Sequence, residues 1–136
     1  MRPGHPVAMT HIRHIAILAA AATAAALPAS SAFARGGNDS RVVRTGSCTD
    51  GSTWKLRVKP DDGRLEAELE VDQNRNGVRW DVVLRSGGKV AATGTRTTKA
   101  PSGSFSFERR IAGSKGTKVT ATAKRSGETC RAAATA

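Results

Sequence analysis

Residues 52–71, "STWKLRVKPDDGRLEAELEV", show the secondary structure of this chain most clearly. On both sides of Asp62-Gly63 apolar and charged residues alternate, which is the pattern of a β-strand with one buried face. Asp-Gly is a strong signal for a two-residue hairpin turn, because both central residues of that turn need positive φ. The stretch therefore predicts an antiparallel hairpin of two half-buried strands.

A turn at Asp62-Gly63 also predicts a register for the hairpin. It places the basic residues of the first strand opposite glutamates of the second, in the pairs Lys59–Glu66, Arg57–Glu68 and Lys55–Glu70. The apolar pairs on the other face are Val58–Ala67, Leu56–Leu69 and Trp54–Val71. Opposed cross-strand pairs of this kind each contribute about 0.2–1 kcal/mol. The basic stripe in "WKLRVK" is therefore predicted to be a solvated, charge-paired sheet face and not a nucleic-acid site.

The same two-residue period recurs along the rest of the chain, in segments separated by glycine-rich or Asp/Asn-rich turns. These segments are "VRWDVVLR", "KVAATGT", "SFSFERRI", "TKVTATAK" and "ETCRAA". The pattern predicts an all-β fold, an antiparallel β-sandwich of about 7–8 short strands with immunoglobulin-like architecture. A small closed β-barrel is the alternative. Trp54 and Trp80 are expected to be the largest core residues, although the Cys-Trp-Cys spacing of true immunoglobulin domains is not met.

Residues 1–34 have the pattern of a secretory signal peptide. A head with Arg2 and Arg13 precedes an apolar stretch from Ile15 to Leu27, and an Ala32-Phe33-Ala34 site follows. The apolar stretch is shorter than the roughly 20 residues that a membrane span needs, and a start at Met9 would leave a shorter signal of the same kind. We therefore expect a secreted, extracellular protein without a membrane span. Residues 35–40 are expected to be a flexible lead-in, and residues 41–136 a single domain.

The two cysteines of the chain, Cys48 and Cys130, lie near the two ends of the predicted domain. In an oxidising compartment such a pair most simply forms one intramolecular disulfide. A bridge that closes a loop of about 80 residues contributes roughly 4.5 kcal/mol in the chain-entropy account. Two free thiols, or pairing between chains, are the alternatives. A redox role is not expected, because the chain has no C-x-x-C motif.

Several enzyme classes are excluded by composition. All three histidines lie within residues 1–34, and tyrosine is absent. The mature chain therefore lacks the imidazole of Ser-His-Asp and Cys-His catalytic units and of histidine zinc sites. The remaining acid–base candidates are carboxylates, either Asp61 with Asp62 or Asp72 with Asp81, and the first pair is typical of a turn. We expect a non-enzymatic protein without a cofactor.

The stretch "DQNRNG", Asp72–Gly77, resembles the first half of a calcium-binding EF-hand loop. The twelfth position of such a loop carries a bidentate glutamate, but here it is Val83. Asn76-Gly77 is itself a standard hairpin turn signal. We therefore expect a tight turn between two strands, with a weak calcium-binding module through Asp72–Gly77 as the alternative.

The chain carries 22 basic and 11 acidic residues, a formal net charge of +11. Arg2 and Arg13 are the only charged residues of the leader, so the mature chain keeps a net charge of +9. Cations without an expected strand partner crowd the C-terminal third, and they are Arg109, Arg110, Lys115, Lys118, Lys124, Arg125 and Arg131. If they share one surface, they favour binding of anionic polymers, such as cell-wall polymers of the teichoic type, acidic polysaccharide or extracellular DNA. If they are scattered, the charge serves solubility.

A protein partner is the alternative to an anionic polymer. The connection 97–104, "TTKAPSGS", with Lys99, suits a small secreted inhibitor or another protein-interaction domain. Nucleic acid is not expected as the physiological target, because the strand cations have glutamates opposite them.

The stretch "GSCTDGSTWKLRVKPDDGRLEAELEVDQNRNGVRWDVVL", with "TTKAPSGSF" and "GETCR" after it, resembles short secreted actinobacterial proteins of uncharacterised function. Those proteins have one domain and a terminal cysteine pair. The resemblance extends over nearly all of residues 46–131. It implies export and a single β-rich domain, and it carries over no functional residue.

Overall fold

The computed structural model describes Gly4 and residues 40–136. The rest of the predicted leader and most of the lead-in lie outside the described residues. The described part contains strands and no helix. The strands are β1 (Val42–Ser47), β2 (Thr53–Asp61), β3 (Arg64–Asp72), β4 (Arg79–Ser86), β5 (Lys89–Thr97), β6 (Ser104–Ile111), β7 (Lys118–Arg125) and β8 (Glu128–Thr135).

The strands form two four-stranded antiparallel sheets, which confirms the β-sandwich. The first sheet has the order β1-β2-β3-β6, and the second has the order β5-β4-β7-β8. The barrel alternative is wrong, because within the described residues no strand ladder joins the two sheets. The strand order differs from that of immunoglobulin domains. The second and third strands of those domains lie in opposite sheets, whereas β2 and β3 are neighbours here.

The β2–β3 hairpin has the predicted register. Lys59 faces Glu66, and the pairing continues in step to Trp54 and Val71. At the turn Asp62 has φ 51° and Gly63 has φ 77°, as a two-residue turn with two left-handed residues requires. The charged and apolar pairs predicted from the sequence are therefore all present.

The core consists of the inward-facing residues of both sheets. Trp80 and Phe107 are its largest fully buried side chains, and Phe105 packs with its ring centroid 6.0 Å from that of Trp80. Trp54 is only partly buried and packs against the edge of this cluster. A Cβ on Gly46, its cross-strand partner, would lie 2.5 Å from the Trp54 ring, so the indole lies directly against the β1 backbone. Trp54 therefore lies at the end of the core and is less buried than the sequence predicts.

The segment from Asp72 to Gly77 turns, but it does not close a hairpin. It carries the chain from β3 in the first sheet to β4 in the second, so the expected pairing of the two flanking strands is wrong. The segment binds the 98–104 connection instead. Gln73 N donates to the Gly103 carbonyl at 3.0 Å, and Gly77 N donates to the Thr98 carbonyl at 2.8 Å. These bonds occupy the backbone groups that a hairpin would have paired.

The predicted disulfide is present between Cys48, just after β1, and Cys130 in β8. Backbone contacts accompany it. Thr49 N donates to the Thr129 carbonyl at 3.0 Å, and Cys48 N donates to the Ser52 carbonyl at 2.7 Å. The bridge therefore joins the first strand region to the last strand, across the two sheets.

Candidate functional site

The seven basic residues of the C-terminal third do not lie on one surface. Lys118 and Lys124 of β7 and Arg131 of β8 share the outer face of the second sheet. Lys115 lies in the connection between β6 and β7. Arg110 lies on the outer face of the first sheet, where two aspartates of the β2–β3 turn bind it at 3.2 and 3.9 Å. The sequence cluster is therefore divided among different parts of the molecule.

Arg109, another member of that cluster, packs over the core beside Arg96. The two guanidinium groups lie 4.2 and 4.8 Å from the centroid of the buried Phe107 ring. Arg96 Nε also donates to the Ser106 carbonyl at 3.2 Å, which links β5 of one sheet to β6 of the other. Cation–π contacts of this kind contribute about 0.5–1 kcal/mol at exposed sites. Arg109 therefore has a structural role at the seam between the sheets.

Arg125, the last member, belongs to a buried polar network. Its Nη2 lies 3.0 Å from Glu128 Oε1 and 3.4 Å from Asp50 Oδ2. The Glu128 side chain is fully buried and also accepts hydrogen bonds from Ser52 N (2.9 Å), Ser52 Oγ (2.7 Å) and Asp50 N (3.0 Å). Burial raises the pKa of Glu128, but these hydrogen bonds outweigh burial and hold the pKa below its usual range. The network fastens the 48–52 loop to the β7–β8 hairpin.

The outer face of the first sheet neutralises its own cations. Its ion pairs are Lys55–Glu70 (3.9 Å), Arg57–Glu68 (3.0 Å), Arg57–Glu70 (3.8 Å) and Lys59–Glu66 (3.4 Å). Glu108 of β6 stands directly opposite Glu68. Repulsion from Glu66, together with burial and repulsion from Glu68, raises the pKa of Glu108. This face is therefore acidic to neutral, and the cations of β2, together with Arg110, already have carboxylate partners.

The outer face of the second sheet is different, and we call it the basic face. It carries the cations Arg79, Arg85, Lys118, Lys124 and Arg131, with Asp81 as the one acidic residue among the outward positions of these strands. Hydroxyl groups fill most positions between them, from Thr93, Thr95, Thr97, Thr120, Thr122, Thr129 and Thr135. In the part of the chain that the structure describes, none of these cations forms a salt bridge.

Sequence reasoning missed Arg79 and Arg85, because it grouped cations by their position in the C-terminal third. The alternation of "VRWDVVLR" places both of them on the face opposite to Trp80 and Val82. The strand order is the part that the pattern does not contain. Because β4 pairs with β7, Arg85 stands opposite Thr120 and becomes part of the same surface as the β7 lysines.

The candidate acid–base carboxylates lie apart. Asp61 and Asp62 both bind Arg110 at the turn, whereas Asp72 ends β3 in the first sheet and Asp81 lies on the basic face. Asp72 Oδ1 accepts a hydrogen bond from the backbone N of Asn74 at 3.0 Å, which is a local turn contact. Among residues 40–136 no group of three or more His, Cys, Asp or Glu side chains could hold a metal ion. Calcium binding through Asp72–Gly77 stays the alternative to the predicted turn.

The 97–104 connection, which contains Lys99, is held closed by its own backbone hydrogen bonds. Lys99 N donates to the Ser104 carbonyl at 2.9 Å, and the Lys99 carbonyl accepts from Gly103 N at 2.9 Å. Gly103 is buried, and a Cβ there would lie 2.3 Å from the Arg75 backbone N. A substrate-like inhibitor must present an extended backbone whose carbonyl enters the oxyanion hole of the proteinase. The backbone of Lys99 is already bound within the loop, which does not suit that mode.

Comparisons with protein-family models, with curated proteins and with solved structures give no match. In the described residues no helix is long and apolar enough to cross a membrane. The site must therefore be interpreted from its own geometry, and the basic face is a surface on which several cations lie close together without a salt bridge in the described residues.

Proposed function

We propose that this protein is an exported, non-enzymatic β-sandwich module that binds anionic polymers outside the membrane through its basic face. The observation that carries the proposal is that cations form salt bridges on the outer face of the first sheet but not on that of the second. Each cation of β2 lies within 4.0 Å of a glutamate, whereas Arg85, Lys124 and Arg131 on the basic face form no salt bridge within the described residues.

Unpaired cations on one surface have a physical cost, because they repel one another and lower the stability of the folded state. A polyanion removes that repulsion and releases its own counterions when it binds. The threonine hydroxyls between the cations add hydrogen-bond donors and acceptors on a flat sheet face. Net charge used for solubility alone would need no such separation of faces.

Export is the second part of the proposal. It rests on the pattern of residues 1–34 and on the Cys48–Cys130 bridge, since disulfides of this kind persist in oxidising compartments. The likeness to short secreted actinobacterial proteins points the same way. A module outside the membrane would meet the anionic polymers of the cell envelope directly.

The test is titration of residues 35–136 with polygalacturonate at several salt concentrations. We expect the affinity to fall steeply with salt, and the variant Lys124→Gln/Arg131→Gln to bind about tenfold more weakly with a shallower salt slope. The matched control is Lys99→Gln/Lys115→Gln, which removes two exposed cations from connections outside the strands of the basic face. Equal losses in the two variants would mean that net charge, and not the basic face, governs binding.

A further inference from the structure

A cleft of about 280 Å³ lies in the middle of the basic face. Its lining residues are Asp81, Val83, Arg85, Thr122, Lys124 and Arg131. Val83 of β4 and Thr122 of β7 are cross-strand partners, and Arg131 of β8 follows on the other side of Thr122. The cleft therefore has one small apolar side chain and one hydroxyl side by side, with cations around them.

The cations define one part of the ligand. Arg85, Lys124 and Arg131 line one cleft from three neighbouring strands. Since none of them has a salt bridge in the described residues, the charge that balances them must come from solvent ions or from a ligand. Guanidinium and ammonium groups bind carboxylate and phosphate oxygens most strongly. The ligand unit is therefore an anion.

Asp81 indicates that the ligand also has uncharged hydrogen-bond donors. A site that binds only anionic groups would not contain a carboxylate. Asp81 stands opposite Lys124 in the strand register, yet the two side chains form no salt bridge. Instead, Asp81 Oδ1 accepts a hydrogen bond from Thr95 Oγ1 at 3.1 Å on its other side. An exposed carboxylate repels the charges of a ligand but accepts hydrogen bonds from hydroxyl groups.

We propose that this cleft binds a repeat unit that carries one negative charge beside free hydroxyl groups, as an acidic sugar or a polyol phosphate does. Arg85, Lys124 and Arg131 hold the anionic group, and Asp81 and Thr122 bind the hydroxyls. Val83 contacts the carbon skeleton between them. This inference rests on the proposed function, and it adds the ligand chemistry to the proposed surface.

The experiment compares three probes on the same protein. Polygalacturonate supplies carboxylates with hydroxyls, poly(glycerol phosphate) supplies phosphates with hydroxyls, and inorganic polyphosphate supplies charge without hydroxyls. In Asp81→Ala we expect affinity for polyphosphate to rise, because a repulsive charge is gone. Affinity for the hydroxylated polymer that the wild type prefers should fall. The ratio of the affinity for that polymer to the affinity for polyphosphate should therefore drop about tenfold, which is the usual effect of one lost hydrogen bond to a charged group.

Glu108→Ala is the matched control, because it also removes one exposed carboxylate, but from the outer face of the first sheet. We expect it to change all three affinities in the same direction and to leave the preference unchanged. A thermal melt of each variant confirms that the fold is kept.

The outcomes separate this inference from the proposed function. If Asp81→Ala leaves the preference for hydroxylated polymers unchanged or increases it, the ligand chemistry is wrong, while charge-driven binding stands. If the wild type binds none of the three polymers at low salt, both proposals are wrong. The hydroxylated probe that the wild type prefers identifies the source, a uronate or a polyol phosphate.

Discussion

Glu128 shows, at the scale of one residue, how a carboxylate is kept inside this sandwich. Its two oxygens accept hydrogen bonds from two backbone groups, one hydroxyl and the Arg125 guanidinium. Such charge-assisted bonds contribute more than neutral ones, and their loss leaves buried donors without a partner. Glu128 therefore acts as the bond between the 48–52 loop and the last hairpin.

We expect Glu128→Gln to lower the free energy of unfolding by about 2–3 kcal/mol at pH 7, since it replaces charge-assisted hydrogen bonds in a buried site. The pKa of Glu128 lies below its usual range in the folded state. Its contribution is therefore present above the pKa of an unfolded glutamate, about 4.3, and is lost as the pH falls through the folded-state pKa. Urea unfolding of the wild type and the variant from pH 7 to pH 3 measures this: the difference should shrink at the acid end.

Glu108→Gln is the control for that measurement, because the shift has the opposite sign. Repulsion from Glu66, with burial and Glu68, raises the pKa of Glu108, so ionisation of this residue destabilises the fold as the pH rises. The variant should be as stable as the wild type or slightly more stable at pH 7, by no more than about 1 kcal/mol. A loss of stability in Glu108→Gln equal to that in Glu128→Gln would contradict both assignments.

How far the sequence predicts single residues depends on whether their partners are local. The pairs of the β2–β3 hairpin follow from one turn, Asp62-Gly63, and from alternation. Glu128 carries no such signal, because in "RSGETC" it looks like a solvent-exposed residue beside a turn. Its partners Ser52 and Asp50 lie 76 and 78 positions away. Only the three-dimensional fold brings them together.

At the scale of elements, alternation predicts each strand well and predicts its neighbours only within a hairpin. The β2–β3 pair is such a case. The order of the other strands depends on which connections cross between the sheets, and Asn76-Gly77 gives the wrong indication there, because its backbone binds the 98–104 connection. For the same reason the sequence alone does not place Arg79 and Arg85 on one surface with the lysines of β7.

The link between β1 and β8 gives a prediction at this scale. Cys48 and Cys130 are separated by 82 positions, so the bridge restricts most of the unfolded domain. Replacing both by serine is expected to lower the free energy of unfolding by about 4–5 kcal/mol in the chain-entropy account. The denaturant m value should rise, because the unlinked unfolded chain exposes more surface.

Urea unfolding of the oxidised wild type and of Cys48→Ser/Cys130→Ser measures both quantities. Wild type under reducing conditions is the control for the substitutions themselves. A loss below about 1 kcal/mol with an unchanged m value would mean that the unfolded chain is restricted without the bridge.

In the whole molecule, the two sheets differ in whether the cations on their outer faces are paired with carboxylates. On the first sheet the cations of β2 face the glutamates of β3, and this was predictable from the hairpin alone. On the outer face of the second sheet, the cations of β4, β7 and β8 lie among threonines and form no salt bridge in the described residues. That asymmetry depends on strand order, so the net charge of the sequence could indicate polyanions but could not locate the surface.

An amide chemical-shift titration of isotope-labelled residues 35–136 with polygalacturonate fragments at low salt locates the surface that binds the polymer. We expect the largest shifts in β4, β7 and β8 around Thr122, Lys124 and Arg131, with little change in the β2–β3 hairpin, and we expect high salt to reverse them. Shifts spread equally over both sheets, or centred on β2 and β3, would contradict the assignment of the basic face as the binding surface.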